Sequence, residues 1–196
     1  MKTTTSPLIL ASSSIYRKEL LQRLGVPFSV VVPAIDETPH PGEAPAEVTL
    51  RLAVAKARAV AATHPDALII GSDQVAEFAG EPVGKPRDRD QALAMLRRMQ
   101  GQSIVFHTAL ALFNAATGRL QTALVDVSTT FRTLDDAALA AYVDRDQPYD
   151  CAGAMRVETL GIVLCTRVAS DDPTALIGLP LIRLTDMLLS EDVRPL

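Results

Sequence analysis

The sequence is poor in the residues that build metal centres, membrane spans and nucleic-acid surfaces. It has two cysteines and three histidines. Cys151 and Cys165 lack metal-ligand spacing, so no zinc site is expected. Both thiols sit among apolar residues and are expected to be buried and reduced. The formal net charge is only -4, and no block carries a single sign. Neither a nucleic acid nor a membrane surface is therefore an expected partner. No apolar run is long enough to span a bilayer. A basic region followed by a long apolar stretch is missing from the N-terminus, so no signal peptide is expected and the cytosol is the expected location. What remains is 196 residues, 48% of them hydrophobic. That suits one domain over residues 1–196, of two lobes, with a real core.

Strand and helix patterns alternate along the chain. Leu8 to Ala11 reads as a short buried strand. A helix follows from Ile15 to Leu24, with Ser14 as N-cap and Gly25 as stop. Phe28 to Val32 reads as a second strand, and Pro33 to Pro45 as a polar loop. Ala46 to Ala62 is the clearest helix, with Leu50, Ala53, Val54, Ala57 and Ala61 as its expected buried stripe. Ala67 to Ile70 is a third strand, followed by a hairpin around Ala79-Gly80. Asp88 caps a helix with Ala92, Met95, Leu96 and Met99 on its buried face. Ile104 to Phe113 and Leu120 to Phe131 read as long strands, Leu134 to Val143 as a helix, Ile162 to Val168 as a late strand and Leu181 to Leu189 as the last helix. The pattern predicts an α/β fold with a mixed sheet, flanking helices and two lobes around a central cleft.

Five groups of residues are chemical candidates. Leu68-Ile69-Ile70 leads into Gly71-Ser72-Asp73-Gln74. Active sites of α/β proteins gather outside the C-terminal ends of strands, where Asp73 is a candidate general base or metal ligand. An ordinary turn is the simpler reading of that tetrapeptide alone. Ser12, Ser13 and Ser14 precede a helix whose N-terminus attracts anions, and Arg17 offers a bidentate phosphate contact. A plain N-cap with a solvated arginine explains the same residues. Asp36 and Glu37 are adjacent carboxylates suited to a hard cation such as Mg2+, or to nothing more than loop solubility. Lys56, expected on the flank of its helix off the apolar stripe, and Lys85, in Gly84-Lys85-Pro86, either neutralise phosphate or sit on the surface. Glu158 is an isolated acid among small and apolar residues, and Gly178-Leu179-Pro180-Leu181 reads as a structural loop.

These segments, taken in order, resemble one family. Ala11-Ser12-Ser13-Ser14 with Arg17, Asp36-Glu37-Thr38, Lys56-Ala57, Ser72-Asp73-Gln74, Gly84-Lys85-Pro86, Cys151-Ala152-Gly153 and Gly178-Leu179-Pro180-Leu181 follow the pattern of Maf proteins, which are cytosolic nucleotide pyrophosphatases. The resemblance runs from about Leu8 to Leu189 and implies a Maf/ITPase-like fold. Tyr16, Gln74 and Glu158 resemble the base-specificity set of the branch acting on 7-methyl-GTP, where the first is usually Trp. A carboxylate accepts two hydrogen bonds from the guanine N1–H and 2-amino group, and an aromatic face favours the cationic N7-methylated ring. Ile15 departs from a usual proline and Ala109 from a frequent glycine.

The resemblance implies a hydrolase that cleaves a nucleoside triphosphate to the monophosphate and pyrophosphate and removes non-standard nucleotides. It implies Asp73 as the catalytic group, Ser12, Ser13, Ser14, Arg17, Lys56 and Lys85 on the phosphates, and Glu37 with Asp73 on a divalent cation (Mg2+, Mn2+ or Co2+). It also implies a homodimer with a small-molecule nucleotide substrate. Two other readings stand beside it. One is a same-fold enzyme acting on pyrimidine triphosphates (dTTP or UTP) or inosine triphosphate. The other is a non-enzymatic regulator of septum formation.

Overall fold

The structure is a computed structural model and describes residues 6–196. Among these, seven strands form one mixed sheet in the order β2-β1-β3-β5-β6-β7, with β4 paired to β3. The strands are β1 (Leu8–Ala11), β2 (Ser29–Val31), β3 (Leu68–Phe78), β4 (Glu81–Val83), β5 (Ser103–Asn114), β6 (Arg119–Phe131) and β7 (Cys165–Ala169). The α-helices are α1 (Ile15–Gln22), α2 (Pro45–Ala61), α3 (Arg89–Met99), α4 (Asp136–Asp146) and α5 (Leu181–Leu189). No helix among the described residues is long and apolar enough to cross a membrane.

The chain forms two compact units. The first runs up to Gln74 and takes in Thr108–Val125 and Asp172–Leu196. Its core is built by strand alternation. Leu8, Leu10, Leu68, Ile70, Leu110 and Leu112 pack on one face, together with Leu20 and Leu21 of α1 and Leu184 and Leu188 of α5. Ile9, Ala11, Ile69, Ala109 and Ala111 point to the other face, against Ala53, Ala57 and Val60 of α2. Ala11, Ala109 and Ala111 on that face, and Ala53 and Ala57 on the helix, let α2 lie close on the sheet. Gly71 marks the closest approach. A Cβ there would overlap the Ala53 carbonyl oxygen and stand 3.0 Å from the Ala57 nitrogen, both backbone atoms. Gly71→Ala is therefore expected to destabilise the protein by about 1–3 kcal/mol, because backbone cannot swing aside as a side chain can. A denaturant titration that found unchanged stability would contradict this contact.

The second unit comprises Val75–His107 and Asp126–Asp171. Its β3–β4 connection is the expected hairpin. Ala79 and Gly80 both take positive φ (53° and 83°) between the paired Phe78 and Glu81, as a two-residue type I′ turn requires. Helix α3 is capped by the Asp88 side chain, which accepts from the Gln91 N–H.

Three sequence expectations are corrected. The late strand starts later than Ile162: Leu160–Leu164 is a 3-10 helix, and only Cys165–Ala169 is extended. A short apolar run does not by itself separate these two conformations. Strand β3 does not end before Asp73 but continues to Phe78. The neighbouring strand does end there. The parallel pairing of β1 with β3 stops at Ala11↔Gly71, so Ser72, Asp73 and Gln74 run on past the end of β1, beside its exit loop Ser12–Ser14. Finally, the buried face of α2 is Val48, Thr49, Leu52, Ala53, Lys56, Ala57 and Val60. Lys56 thus lies on the buried face, not on the flank.

Candidate active site

In the first unit, β3 delivers Asp73 to the α2 face of the sheet, in phase with Ile69 and Gly71. The Lys56 ammonium lies 2.6 Å from Asp73 Oδ1 and 3.0 Å from Glu37 Oε1. Lys56 and Asp73 are 6% and 8% exposed, whereas the Glu37 side chain is largely open to solvent. The contact between a buried lysine and a buried carboxylate offsets the cost of taking both from water, and Glu37 gives Lys56 a second partner. The close packing of α2 on Gly71 is what brings Lys56 within reach.

Glu37 is held in place by its loop. Arg51 forms a bidentate pair with Glu43 at 2.6 and 2.7 Å and also donates to the Thr38 carbonyl at 3.2 Å. The Arg51 hydrogen bonds keep the Glu43 carboxyl at about 2, well below the usual carboxylate range. Asp36 faces elsewhere: its Oδ1 accepts from the Thr38 N–H at 2.9 Å, and hydrogen bonds from the Thr38 side chain and then its N–H lower the Asp36 pKa. Of the two adjacent carboxylates, only Glu37 joins Asp73.

The serine loop and α1 supply the other cation. Ser14 is the N-cap, its hydroxyl accepting from the Arg17 N–H at 3.3 Å. Ser12 is buried, and its hydroxyl accepts from the Ser14 N–H at 3.1 Å and lies 3.5 Å from Arg17 Nη1. Ser13 is exposed and Tyr16 half-buried. The Arg17 guanidinium donates through Nε to the Gly178 carbonyl at 2.8 Å. Burial lowers its pKa, while the charges of Asp73 and Glu37 raise it. The same two carboxylates thus act on both Lys56 and Arg17.

Gln74 follows Asp73 but points to the opposite sheet face, as alternation requires. Its Nε2 donates to Thr108 Oγ1 at 2.9 Å, to the Ala175 carbonyl at 2.8 Å and to the Leu176 carbonyl at 3.1 Å. Those acceptors fix the amide so that Oε1 is turned away from them.

The remaining candidates belong to the second unit. The Gly84 carbonyl accepts from the Gly153 N–H at 3.1 Å, which joins the Gly84-Lys85-Pro86 and Cys151-Ala152-Gly153 segments. The Lys85 side chain is exposed. Glu158 is not in an apolar setting. Desolvation raises its pKa most, and Asp150 and Asp146 add to the rise while Arg156 opposes it. Cys151 is half-buried and Cys165 buried, both as free thiols. Burial pushes the Cys151 thiol up to about 11 and also raises that of Cys165, so neither is a ready nucleophile.

Among the described residues, no group of three or more His, Cys, Asp or Glu is arranged to hold a metal ion. Glu37 and Asp73 offer a pair of hard oxygen donors. That suits a cation such as Mg2+, which takes one or two carboxylates and completes its shell with water and substrate phosphates.

The sequence matches the family model described as Maf-like protein over residues 7–191. The chain belongs to the Maf family. It is 58% identical over 182 residues to a protein of Ralstonia nicotianae, covering 93% of this chain and 94% of that protein. It is 55% identical over 192 residues to one of Thiobacillus denitrificans, covering 97% of this chain and 96% of the relative. A third, from Cupriavidus metallidurans, is 55% identical over 189 residues, covering 96% and 95%. All three relatives are named 7-methyl-GTP pyrophosphatase.

The structure of this Maf protein adds residues that sequence reading missed. Ser72 is buried, and its hydroxyl reaches the carbonyls of Ala109 at 2.8 Å and Gly178 at 2.9 Å. Asp172 is buried and ties both ends of the loop that carries Gly178. Its Oδ1 accepts from the Thr174 hydroxyl at 2.7 Å, and its Oδ2 accepts from the Ile182 N–H at 2.7 Å, at the start of α5. Leu181 N–H in turn donates to Thr174 Oγ1 at 2.8 Å. The Asp172-Pro173 pair was a legible helix-start signal, a capping residue with proline at the first helical position.

Proposed function

We propose that this chain is a nucleoside triphosphate pyrophosphatase acting on 7-methyl-GTP, and that it removes modified nucleotides. The observation that carries the reading is the convergence of Asp73, Glu37, Lys56 and Arg17 in the first unit. Two cations and two carboxylates in one small region suit a phosphate chain with its counter-ion, and the relatives' names agree with that chemistry.

Asp73 holds a water by accepting its hydrogen bond and takes its proton as the water oxygen attacks the α-phosphorus. The bond from that phosphorus to the α–β bridging oxygen breaks. Pyrophosphate departs with the bridging oxygen, and the nucleoside monophosphate keeps the oxygen from water. Arg17 and Lys56 stabilise charge that moves toward the leaving group, and Lys85 is assigned to the phosphates as well. Ser12, Ser13 and Ser14 offer hydroxyls and backbone N–H groups to phosphate oxygens. A divalent cation fits Glu37 and Asp73, and when bound it would neutralise phosphate charge.

Base choice falls to Tyr16, Gln74 and Glu158. Glu158 accepts from the guanine N1–H and 2-amino group. The nearby acidic groups Asp146 and Asp150 suit a ring made cationic by N7 methylation. Tyr16 offers that cation an aromatic face. Gln74 contributes Oε1, an acceptor, since its amide nitrogen is committed to Thr108 and the Ala175 and Leu176 carbonyls.

Glu158→Gln tests the base assignment. The swap turns one acceptor into a donor, so one guanine donor loses its partner. The kcat/KM for 7-methyl-GTP is expected to fall about 5- to 150-fold, equivalent to about 1–3 kcal/mol. Hydrolysis of UTP or dTTP is expected to hold or rise. An unchanged substrate ranking would remove Glu158 from base recognition.

A further inference from the structure

Lys56 stands where two carboxylates would share a cation. Its ammonium contacts Asp73 Oδ1 at 2.6 Å and Glu37 Oε1 at 3.0 Å, and it arrives on a different element from either. We propose that Lys56 is the resting occupant of the divalent-cation position, and that metal binding requires its ammonium to leave Glu37 and Asp73 for the substrate phosphates. The proposal rests on the assignment of Glu37 and Asp73 as the metal-holding pair.

Charge balance supports it. Glu37 and Asp73 bring two negative charges, Lys56 one positive charge and Arg17 another, and both carboxylates act electrostatically on Arg17. The group is neutral as it stands. A dication added alone would face the Lys56 and Arg17 cations in a partly dry site, where such repulsion is poorly screened. A triphosphate changes the sum. It brings enough negative charge to receive Lys56 and Arg17, which releases both carboxylates to the metal. Metal and nucleotide then assist each other's binding through one movable side chain, and that coupling is reciprocal. Lysine suits the role, because its ammonium is a compact charge on a flexible stem. The exposed Glu37 side chain gives the incoming ion an open side, whereas Asp73 is buried.

A lysine that only grips phosphate predicts no effect on metal binding without nucleotide. A lysine that only fixes the carboxylates predicts weaker metal binding on its removal. Displacement predicts the opposite sign. The test is Mn2+ titration of the full chain without nucleotide, with free Mn2+ read by electron paramagnetic resonance. Lys56→Met is expected to bind Mn2+ on the order of tenfold more tightly than wild type, the size of a typical coupling between sites. Lys56→Arg keeps the charge and should stay near wild type. Glu37→Gln should bind more weakly. If Glu37→Gln leaves Mn2+ affinity unchanged, the metal assignment itself fails. If Glu37→Gln weakens binding but Lys56→Met does not tighten it, the displacement proposal fails alone. Lys56→Gln repeats the measurement with a polar neutral side chain should the Met variant not fold. In wild type, which needs no variant to fold, Mg2+ added with a non-hydrolysable nucleoside triphosphate analogue should shift the Lys56 side-chain NMR signal, and an unmoved signal at saturation would overturn the proposal.

Discussion

Asp73→Asn is expected to lower kcat a hundredfold or more on every triphosphate the enzyme accepts, roughly the range of general-base removal. Asparagine keeps the shape but cannot take the proton from water, and it removes one charge from the carboxylate pair proposed to hold the metal. The structural cost is not negligible, because Asp73 is buried against a buried lysine. Breaking such a pair costs about 3–5 kcal/mol when the remaining charge is stranded. Lys56 is not stranded here. Glu37 still lies 3.0 Å away, and the Asn carbonyl can accept from the ammonium in place of Oδ1. A lowered Tm with a folded protein at assay temperature is therefore expected. Circular dichroism and Tm recorded beside kcat separate the two effects. Near-normal turnover in the folded variant would remove Asp73 from the chemistry.

The second large effect is expected at Arg17. Its guanidinium is aimed by the Gly178 carbonyl, 2.8 Å from Nε, and it senses both Asp73 and Glu37. Arg17→Ala should cut kcat/KM by about 100- to 1000-fold, the range seen when one fixed donor to developing negative charge is lost. The loss should be the same for 7-methyl-GTP and for any other accepted triphosphate, because the phosphates are common to all. Gly178→Ala offers a graded version. Gly178 has φ of +119°, a conformation L side chains rarely adopt, and an added Cβ would lie 3.4 Å from Arg17 Nε. A smaller loss is expected there, again independent of the base. If Arg17→Ala abolished hydrolysis of one base and spared another, Arg17 would belong to base recognition instead.

Local signals in the sequence were legible because local physics decides them. Ser14 caps α1 through its own hydroxyl, Gly25 follows the helix at a φ of 67°, and the Ala79-Gly80 turn needs two positive φ values. The strand alternation that separates Leu8 and Leu10 from Ile9 and Ala11 was legible for the same reason. Lys56 was not. Helix α2 is rich in alanine, and alanines on several faces leave the apolar stripe poorly marked. What buries Lys56 is Asp73, 17 residues later and on another element. The opposite orientations of Asp73 and Gln74 follow from strand continuity, hidden by a Gly-Ser-Asp string that also suits a turn. Gly178 carried a motif but no chemistry in sequence. Its role lies in a backbone carbonyl, and carbonyls leave no trace in residue identity. The charged surroundings of Glu158 come from Asp146 and Asp150, which reach it through the fold of the second unit.

The central claim is met most directly by pyrophosphate release from purified wild-type protein with Mg2+ or Mn2+, measured across 7-methyl-GTP, GTP, ITP, UTP and dTTP. The account predicts the highest kcat/KM on 7-methyl-GTP, with one pyrophosphate and one nucleoside monophosphate formed per substrate consumed. Release of orthophosphate instead, a preference for UTP or dTTP, or no pyrophosphate from any of the five would contradict it.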